Sequence, residues 1–429
     1  MDIILKGGHV VDPANNVDSG SDVLIKGDKI AQVGKNIKAN GAKTIDCKGK
    51  LVFPGLIDMH THLRQPGRED EETVLTGSRA ALKGGFTSLL CMANTSPVID
   101  NKGVVEYIRV EASRAGLINV YPAAAVTKGL EGKELTEIGQ IAEAGAKALS
   151  DDGKPIMNAE ILRRALEYAK MFGLLIISHC EDTNLSRNGV MNEGFISTKL
   201  GLKGIPRASE TVMVMRDIEL AGLTGGKLHI AHISAKESVE AVREAKKRGI
   251  GVTCETCPHY FTLTEEAVLG FNTKAKVNPP LKTKEDVASV KKGLSDGTID
   301  AISTDHAPHS VEEKDVEFDF AASGMIGLEF ALSLANTELI NNKILDWSGL
   351  VKKMSVNPAK ILSLHGKGSL AAGSDADITV FDPSAEWIVD EKRIESKSKN
   401  TPLAGRKMVG AVLVTIVGGK IKYENGKFN

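Results

Sequence analysis

The sequence predicts an α/β protein, a (β/α)8 barrel of the TIM type that carries a small β-sandwich formed by the N- and C-terminal segments. Three observations support this. Over residues 54–365, short apolar runs alternate eight times with amphipathic helical stretches. Residues 1–53 and 366–429 instead alternate apolar and polar positions between turn residues. No Gly-x-Gly-x-x-Gly turn follows the first apolar run, which weakens the competing open, nucleotide-binding sheet.

At the N-terminus, Ile3-Ile4-Leu5, Val23-Leu24-Ile25 and Ile30-Ala31-Gln32-Val33 read as short antiparallel strands. Barrel strands are expected at 55–62, 85–92, 118–125, 145–151, 173–179, 227–233, 250–255 and 299–305. Helical patterns follow them, as at 158–171, 235–247 and 284–294. Near-continuous apolar strands alternating with helices imply a parallel sheet, and eight such units over this length suit a closed barrel. The β pattern returns at 376–381, 411–417 and 420–423. Chain ends commonly lie close together, so the two β-rich ends are expected to share one domain.

Bulk properties narrow the function. A chain of 429 residues exceeds one ordinary core. Its net charge of −1 offers no footprint for nucleic acid or an anionic membrane. No apolar run approaches the roughly 20 residues of a membrane helix. The opening Met-Asp-Ile-Ile-Leu-Lys-Gly-Gly lacks the features of a signal peptide. Five scattered cysteines argue against a disulfide framework and predict a reducing, cytoplasmic setting.

The polar residues cluster at strand ends. His60 and His62 are two apart on the first expected strand, so both imidazoles face the same way. Strand four ends in Ser150-Asp151-Asp152-Gly153, strand five in His179-Cys180-Glu181-Asp182, strand six in His232, and strand eight in Thr304-Asp305-His306-Ala307-Pro308-His309. In such barrels chemistry occupies the carboxyl ends of the strands. Imidazoles and carboxylates without paired thiolates suit Zn²⁺, Co²⁺ or Mn²⁺. Four histidines are enough for two ions if a carboxylate bridges them, and the reaction class implied is metal-assisted hydrolysis of an amide, or its reverse. Cys254 and Cys257 read as core thiols, since one Cys-x-x-Cys supplies too few ligands for a structural zinc. Glu312–Asp315 reads as a solvated loop, and His306 either as a ligand's neighbour or as a hydrogen-bonding support. The acidic segment 308–324 is expected to close over a substrate.

The stretches Asp58-x-His60-x-His62, the single histidines on strands five and six, and Asp305 on strand eight resemble the amidohydrolase superfamily. Within it, His60-Thr-His-Leu-Arg-Gln-Pro-Gly67, Thr304-Asp-His-Ala-Pro-His309, Val277-Asn-Pro-Pro280 and Lys397-Ser-Lys-Asn-Thr-Pro402 are similar to segments of dihydroorotases. The likeness runs over nearly the whole chain. It implies reversible cyclisation of N-carbamoyl-L-aspartate to L-dihydroorotate plus water, a step of de novo pyrimidine biosynthesis. It further implies two zinc ions, one held by His60 and His62 and the other by His179 and His232, with Asp305 binding metal and moving the proton. Arg64, Asn94 and His309 would grip the substrate carboxylate, and Asn278 with Ser323 and Gly324 would complete the pocket. Relatives often bridge their metals with a carbamylated lysine. Here Lys147 lies five residues before Asp152, roughly 16 Å along an extended chain. Asp152 is therefore the favoured bridge, with Asp151 and carbamylated Lys147 as alternatives. Gln65 stands where relatives commonly carry glutamate.

Two rival functions follow. Cyclic amidases of the hydantoinase, dihydropyrimidinase or allantoinase type share the ligands but lack an arginine at the position of Arg64. A non-catalytic assembly protein would have lost ligands, and none is missing here. Beyond the small-molecule substrate, a homodimer and association with aspartate carbamoyltransferase are the partners the family suggests; neither nucleic acid nor membrane is expected.

Overall fold

Eight parallel strands follow one another in chain order around a barrel: Leu56–Thr61, Phe86–Cys91, Asn119–Ala124, Ala148–Leu149, Leu175–Ser178, Lys227–Ile230, Val252–Thr256 and Ala301–Ile302. The computed structural model describes residues 2–429. The seam between last and first strands is closed by a parallel bridge from Thr61 to His306, and the His62 N–H donates to His306 O at 2.9 Å. Asp58 reinforces the seam, accepting the N–H groups of His60 (3.0 Å) and Thr304 (3.1 Å). Burial pushes the Asp58 carboxyl up to about 7, against those hydrogen bonds.

The strands are mostly apolar because both faces are covered. Ile57, Met59, Leu90, Met92, Ala123, Ala148, Leu175 and Ile177 fill the barrel interior. Their neighbours Leu56, Leu89, Leu149 and Ile176 pack outward against the helices, as the two-residue alternation of a strand requires. Helix Ala159–Met171 buries Leu162, Ala165, Leu166 and Ala169, a spacing of three and four, and Asn158 caps it by accepting the Glu160 N–H. Helices Lys236–Lys247 and Lys284–Ser295 also stand where the periodicity puts them.

The two chain ends share a nine-stranded sheet. Leu51–Pro54 lies between Ile3–Asp12 and Ile378–Ile388, so the N-terminal and C-terminal strands meet at its centre. The sheet curls until Ile30 N–H reaches Ser374 O and Ala376 N–H reaches Asp28 O. Val10, Val23, Ile25, Val52, Ile378, Val380, Val414 and Ile416 fill the space between its flanks. The strand expected at 376–381 runs on to Ile388, because a register shift between Asp382 and Glu386 absorbs Pro383. Proline in a strand pattern otherwise signals its end.

Candidate metal centre and anion cleft

Four imidazoles and two carboxylates meet at the carboxyl end of the barrel. Asp152 is the hub. Its Oδ1 lies 3.3 Å from His60 Nε2, 3.4 Å from His179 Nδ1 and 3.5 Å from His232 Nε2, and its Oδ2 lies 3.5 Å from His62 Nε2. Asp305 Oδ1 stands 3.1 Å from His62 Nε2 and 3.6 Å from His60 Nε2. Two donors bound to one zinc-like ion at tetrahedral angles are separated by about 3.3 Å. Most of these spacings are long for hydrogen bonds and match ligands around a shared ion.

The outer ring nitrogens fix which nitrogen faces inward. His60 Nδ1 pairs with Glu255 Oε1 at 2.9 Å, His62 Nδ1 with Asn94 Oδ1 at 2.8 Å, and His179 Nε2 with Glu181 Oε2 at 3.1 Å. Each hydrogen bond spends the outer N–H and turns the other nitrogen's lone pair into the cluster. Glu255 is fully buried and also accepts from Ser303 Oγ. His60 Nε2 and Asp152 Oδ1 are buried and have no hydrogen-bond partner. Burial opposes charge on His179, yet Asp152 and Glu181 raise its ring to about 10; burial opposes charge on Asp305, yet His62, His60 and His232 hold it at about 2. Orphaned donors in a cluster that favours added positive charge fit a metal cation.

The backbone is strained where it delivers these groups. Asp305 (φ 47°), His232 (φ 33°) and Arg64 (φ 60°) all adopt left-handed conformations, a cost met at functional sites.

Next to the cluster lies a cleft of about 250 Å³. His62, Asp152, His179, His232 and Asp305 line it on one side, and Arg64, Asn94, Asn278, His309, Ser323 and Gly324 on the other. Arg64 is almost wholly buried. Its Nε faces Pro308 O at 3.0 Å and Glu71 Oε2 at 3.1 Å, and one Nη approaches His309 Nε2 at 3.3 Å. His309 Nδ1 pairs with Glu313 Oε2 at 2.7 Å and Glu71 Oε1 at 3.2 Å. The Asn278 amide donates to Glu181 Oε2 at 2.8 Å, so its N–H serves the His179 support as much as the cleft. A larger cavity of about 390 Å³ lies between Phe330, Trp387 and Tyr423, away from every histidine of the cluster. Convergent chemistry, not size, singles out the smaller cleft.

Every residue expected at the site thus reaches one mouth. Among the rival bridging groups, Asp151 turns away and accepts Val126 N–H (2.7 Å) and Thr127 N–H (3.0 Å). The Lys147 side chain makes no hydrogen bond or ion pair among the described residues. Cys254 and Cys257 are buried free thiols, and burial pushes Cys254 up to about 12. His306 supports rather than ligates: Nδ1 accepts the Gly327 N–H and Nε2 donates to Glu72 Oε2 at 3.2 Å. The run Glu312–Asp315 departs from the expected solvated loop, because Glu313 pairs with Arg68 and His309 while Lys314 is buried. Sequence reasoning assigned no role to Glu71, Glu72 or Glu255. For Glu255, the available signal was its place at the carboxyl end of the seventh strand.

No helix among the described residues is long and apolar enough to cross a membrane. Residues 49–238 match the family model described as dihydro-orotase-like. The chain is 54% identical to the dihydroorotase of Geotalea daltonii, over 99% of this chain and all of that one. It is 55% identical to the dihydroorotase of Pelotomaculum thermopropionicum, over 98% of each. Among solved structures it resembles the L-hydantoinase (dihydropyrimidinase) of Arthrobacter aurescens, with TM-score 0.89 and 25% identity over 100% of this chain and 97% of that one. It also resembles the dihydropyrimidinase of Brevibacillus agri, with TM-score 0.88 and 24% identity over 100% and 96%. With more than half of its residues shared over nearly its whole length, the chain belongs to the dihydroorotase family.

Proposed function

We propose that the protein is a metal-dependent dihydroorotase, interconverting N-carbamoyl-L-aspartate and L-dihydroorotate with loss or gain of water. The observation that carries this reading is the buried Arg64 beside His309 and Asn94, facing the four-histidine, two-aspartate cluster across one cleft. Both substrates carry a carboxylate that a planar guanidinium matches with two hydrogen bonds. Hydantoin and dihydrouracil carry no such group. The hydantoinase reading draws on likeness in fold, which many activities share.

His60, His62, His179, His232, Asp152 and Asp305 would hold the metal, and Asp152, whose oxygens face both histidine pairs, is the proposed bridging carboxylate. Two zinc ions are the proposed complement. Such metal supplies an acidified water and an electrophile for the amide carbonyl. The protein's own groups do the rest. Arg64, His309 and Asn94 bind the carboxylate and so fix the ring amide against the cluster. Asp305, held low and therefore unprotonated, accepts a proton from the attacking water and returns it to the departing ring nitrogen. Ring closure reverses these transfers. The free, buried cysteines support a cytoplasmic setting; a homodimer, or a complex with aspartate carbamoyltransferase, is the proposed assembly, and light scattering of the pure chain with and without that enzyme tests it.

The deciding experiment is substrate comparison on purified, zinc-supplemented protein. L-dihydroorotate is turned over, while hydantoin, dihydrouracil and allantoin are not. Failure on dihydroorotate with metal bound would remove the proposal.

A further inference from the structure

The segment 396–400 follows the barrel in sequence, yet it lies across the loops of the barrel mouth. Ser396 Oγ donates to Glu72, and Ser398 Oγ donates to Glu71 O at 2.7 Å. Asn400 is buried, at 3% exposure. Its Nδ2 donates to Ala307 O (2.9 Å) and Gly324 O (3.1 Å), its Oδ1 accepts the His309 N–H (3.2 Å), and its own carbonyl accepts the Ile326 N–H (3.1 Å). Asn400 does not line the cleft; Ala307, His309 and Gly324 do.

We propose that Asn400 is a positioning residue for the anion side of the cleft, setting the distance between the His309 loop and the Ser323–Gly324 loop. This deepens the dihydroorotase reading and rests on it. The chemistry of the two loops calls for this side chain. Ala307 N–H pairs with Met325 O at 3.0 Å, so the loops join there as a short ladder. One step on, Ala307 O and Gly324 O face the same point, and two carbonyls cannot pair with each other. A carboxamide NH2 satisfies both, and its oxygen takes the N–H of His309. Aspartate would place an oxygen against two carbonyls, serine has a single donor, and a buried carbonyl left unpaired has no water to replace its partner. The fit is tight on the cleft side too: a Cβ added to Gly324, whose φ is 147°, would lie 2.9 Å from His309 Nε2.

The test compares Asn400→Asp and Asn400→Ser with Ser333→Ala, which loses a buried hydrogen bond to Gly410 O far from the cleft. We expect both Asn400 variants to raise KM for L-dihydroorotate by about tenfold or more, with kcat within threefold and bound metal unchanged. Ser333→Ala lowers thermal stability without moving KM. An Asn400 variant that loses stability at unchanged KM, or that loses its metal, overturns the proposal. Should neither Asn400 variant fold, hydrogen exchange on the wild type decides. The His309 and Ile326 amides, both bonded to Asn400, gain protection when L-dihydroorotate is added, and unchanged protection overturns the proposal. Wild-type turnover of L-dihydroorotate is measured first, so failure of the underlying activity is distinguished from failure of this assignment.

Discussion

Arg64 enters the cleft with its Nε already shared between Pro308 O and Glu71, so only its terminal nitrogens are left for a ligand. Lysine in its place would keep the charge and lose both the fork and the Nε contacts. We therefore expect Arg64→Lys to lower kcat/KM for L-dihydroorotate by about 10²-fold or more while bound metal stays at the wild-type amount. Loss of metal in that variant would mean that Arg64 supports the cluster instead. Glu255 acts on the opposite side. Glu255→Gln leaves His60 Nδ1 without its carboxylate, and we expect metal affinity to fall by about 10- to 100-fold, read by chelator competition, with KM little changed. These two residues also mark what could be read before folding. Arg64 was legible because a guanidinium two residues past a His-x-His pair stays near it wherever the strand ends. Glu255 was not, because Cys254 and Cys257 flank it and invite a reading as thiol chemistry. Deciding which of four consecutive buried residues faces His60 takes the register of the seventh strand against the first, a pairing of positions 195 residues apart.

The segment from Pro308 to Gly324 shows the same limit at the scale of an element. Its acidic, aperiodic sequence was legible as a loop over the mouth, but its anchors are long-range. Lys314, in the short helix Val311–Lys314, sends its Nζ to Thr273 O (3.1 Å), Lys276 O (3.2 Å) and Ala322 O (2.6 Å). A lysine amid three carbonyls is not readable from Glu-Glu-Lys-Asp. Burial lowers its ammonium from 10.5 to about 7. The unfolded chain therefore holds this proton over a window in which the folded one has released it. Stability must rise with pH wherever the unfolded state binds more protons. The stability difference between wild type and Lys314→Met should accordingly shift in favour of wild type from about pH 7 to about pH 10.5, as read from urea midpoints. A difference independent of pH across that window would refute the assignment. For the loop as a whole, ligand-dependent closure predicts slower proteolytic cleavage within 308–324 when L-dihydroorotate is present.

At the scale of the molecule, the barrel order was legible because each strand–helix unit is local, and right-handed parallel connections leave few alternatives. The fusion of chain ends into one sheet follows from pattern only in outline; its curl depends on contacts such as Ile30 with Ser374. The metal cluster draws on five strands: His60 and His62 from the first, Asp152 after the fourth, His179 after the fifth, His232 after the sixth and Asp305 after the eighth. It therefore spans the seam, where a short bridge and the Asp58 contacts join the first and last strands. A ligand that binds the folded state alone stabilises it by RT ln(1 + [L]/Kd), about 4 kcal/mol at a thousandfold excess over Kd. Without a cation the same site leaves buried donors unsatisfied and clustered, which adds to the difference. Adding zinc to chelator-treated protein should therefore raise the unfolding temperature by several degrees, saturably. Asp152→Ala, which removes the one carboxylate facing all four histidines, should abolish that rise. If metal-free and zinc-loaded protein unfold at the same temperature, or if Asp152→Ala keeps the full zinc response, the cluster is not the element that ties the barrel's first and last strands together.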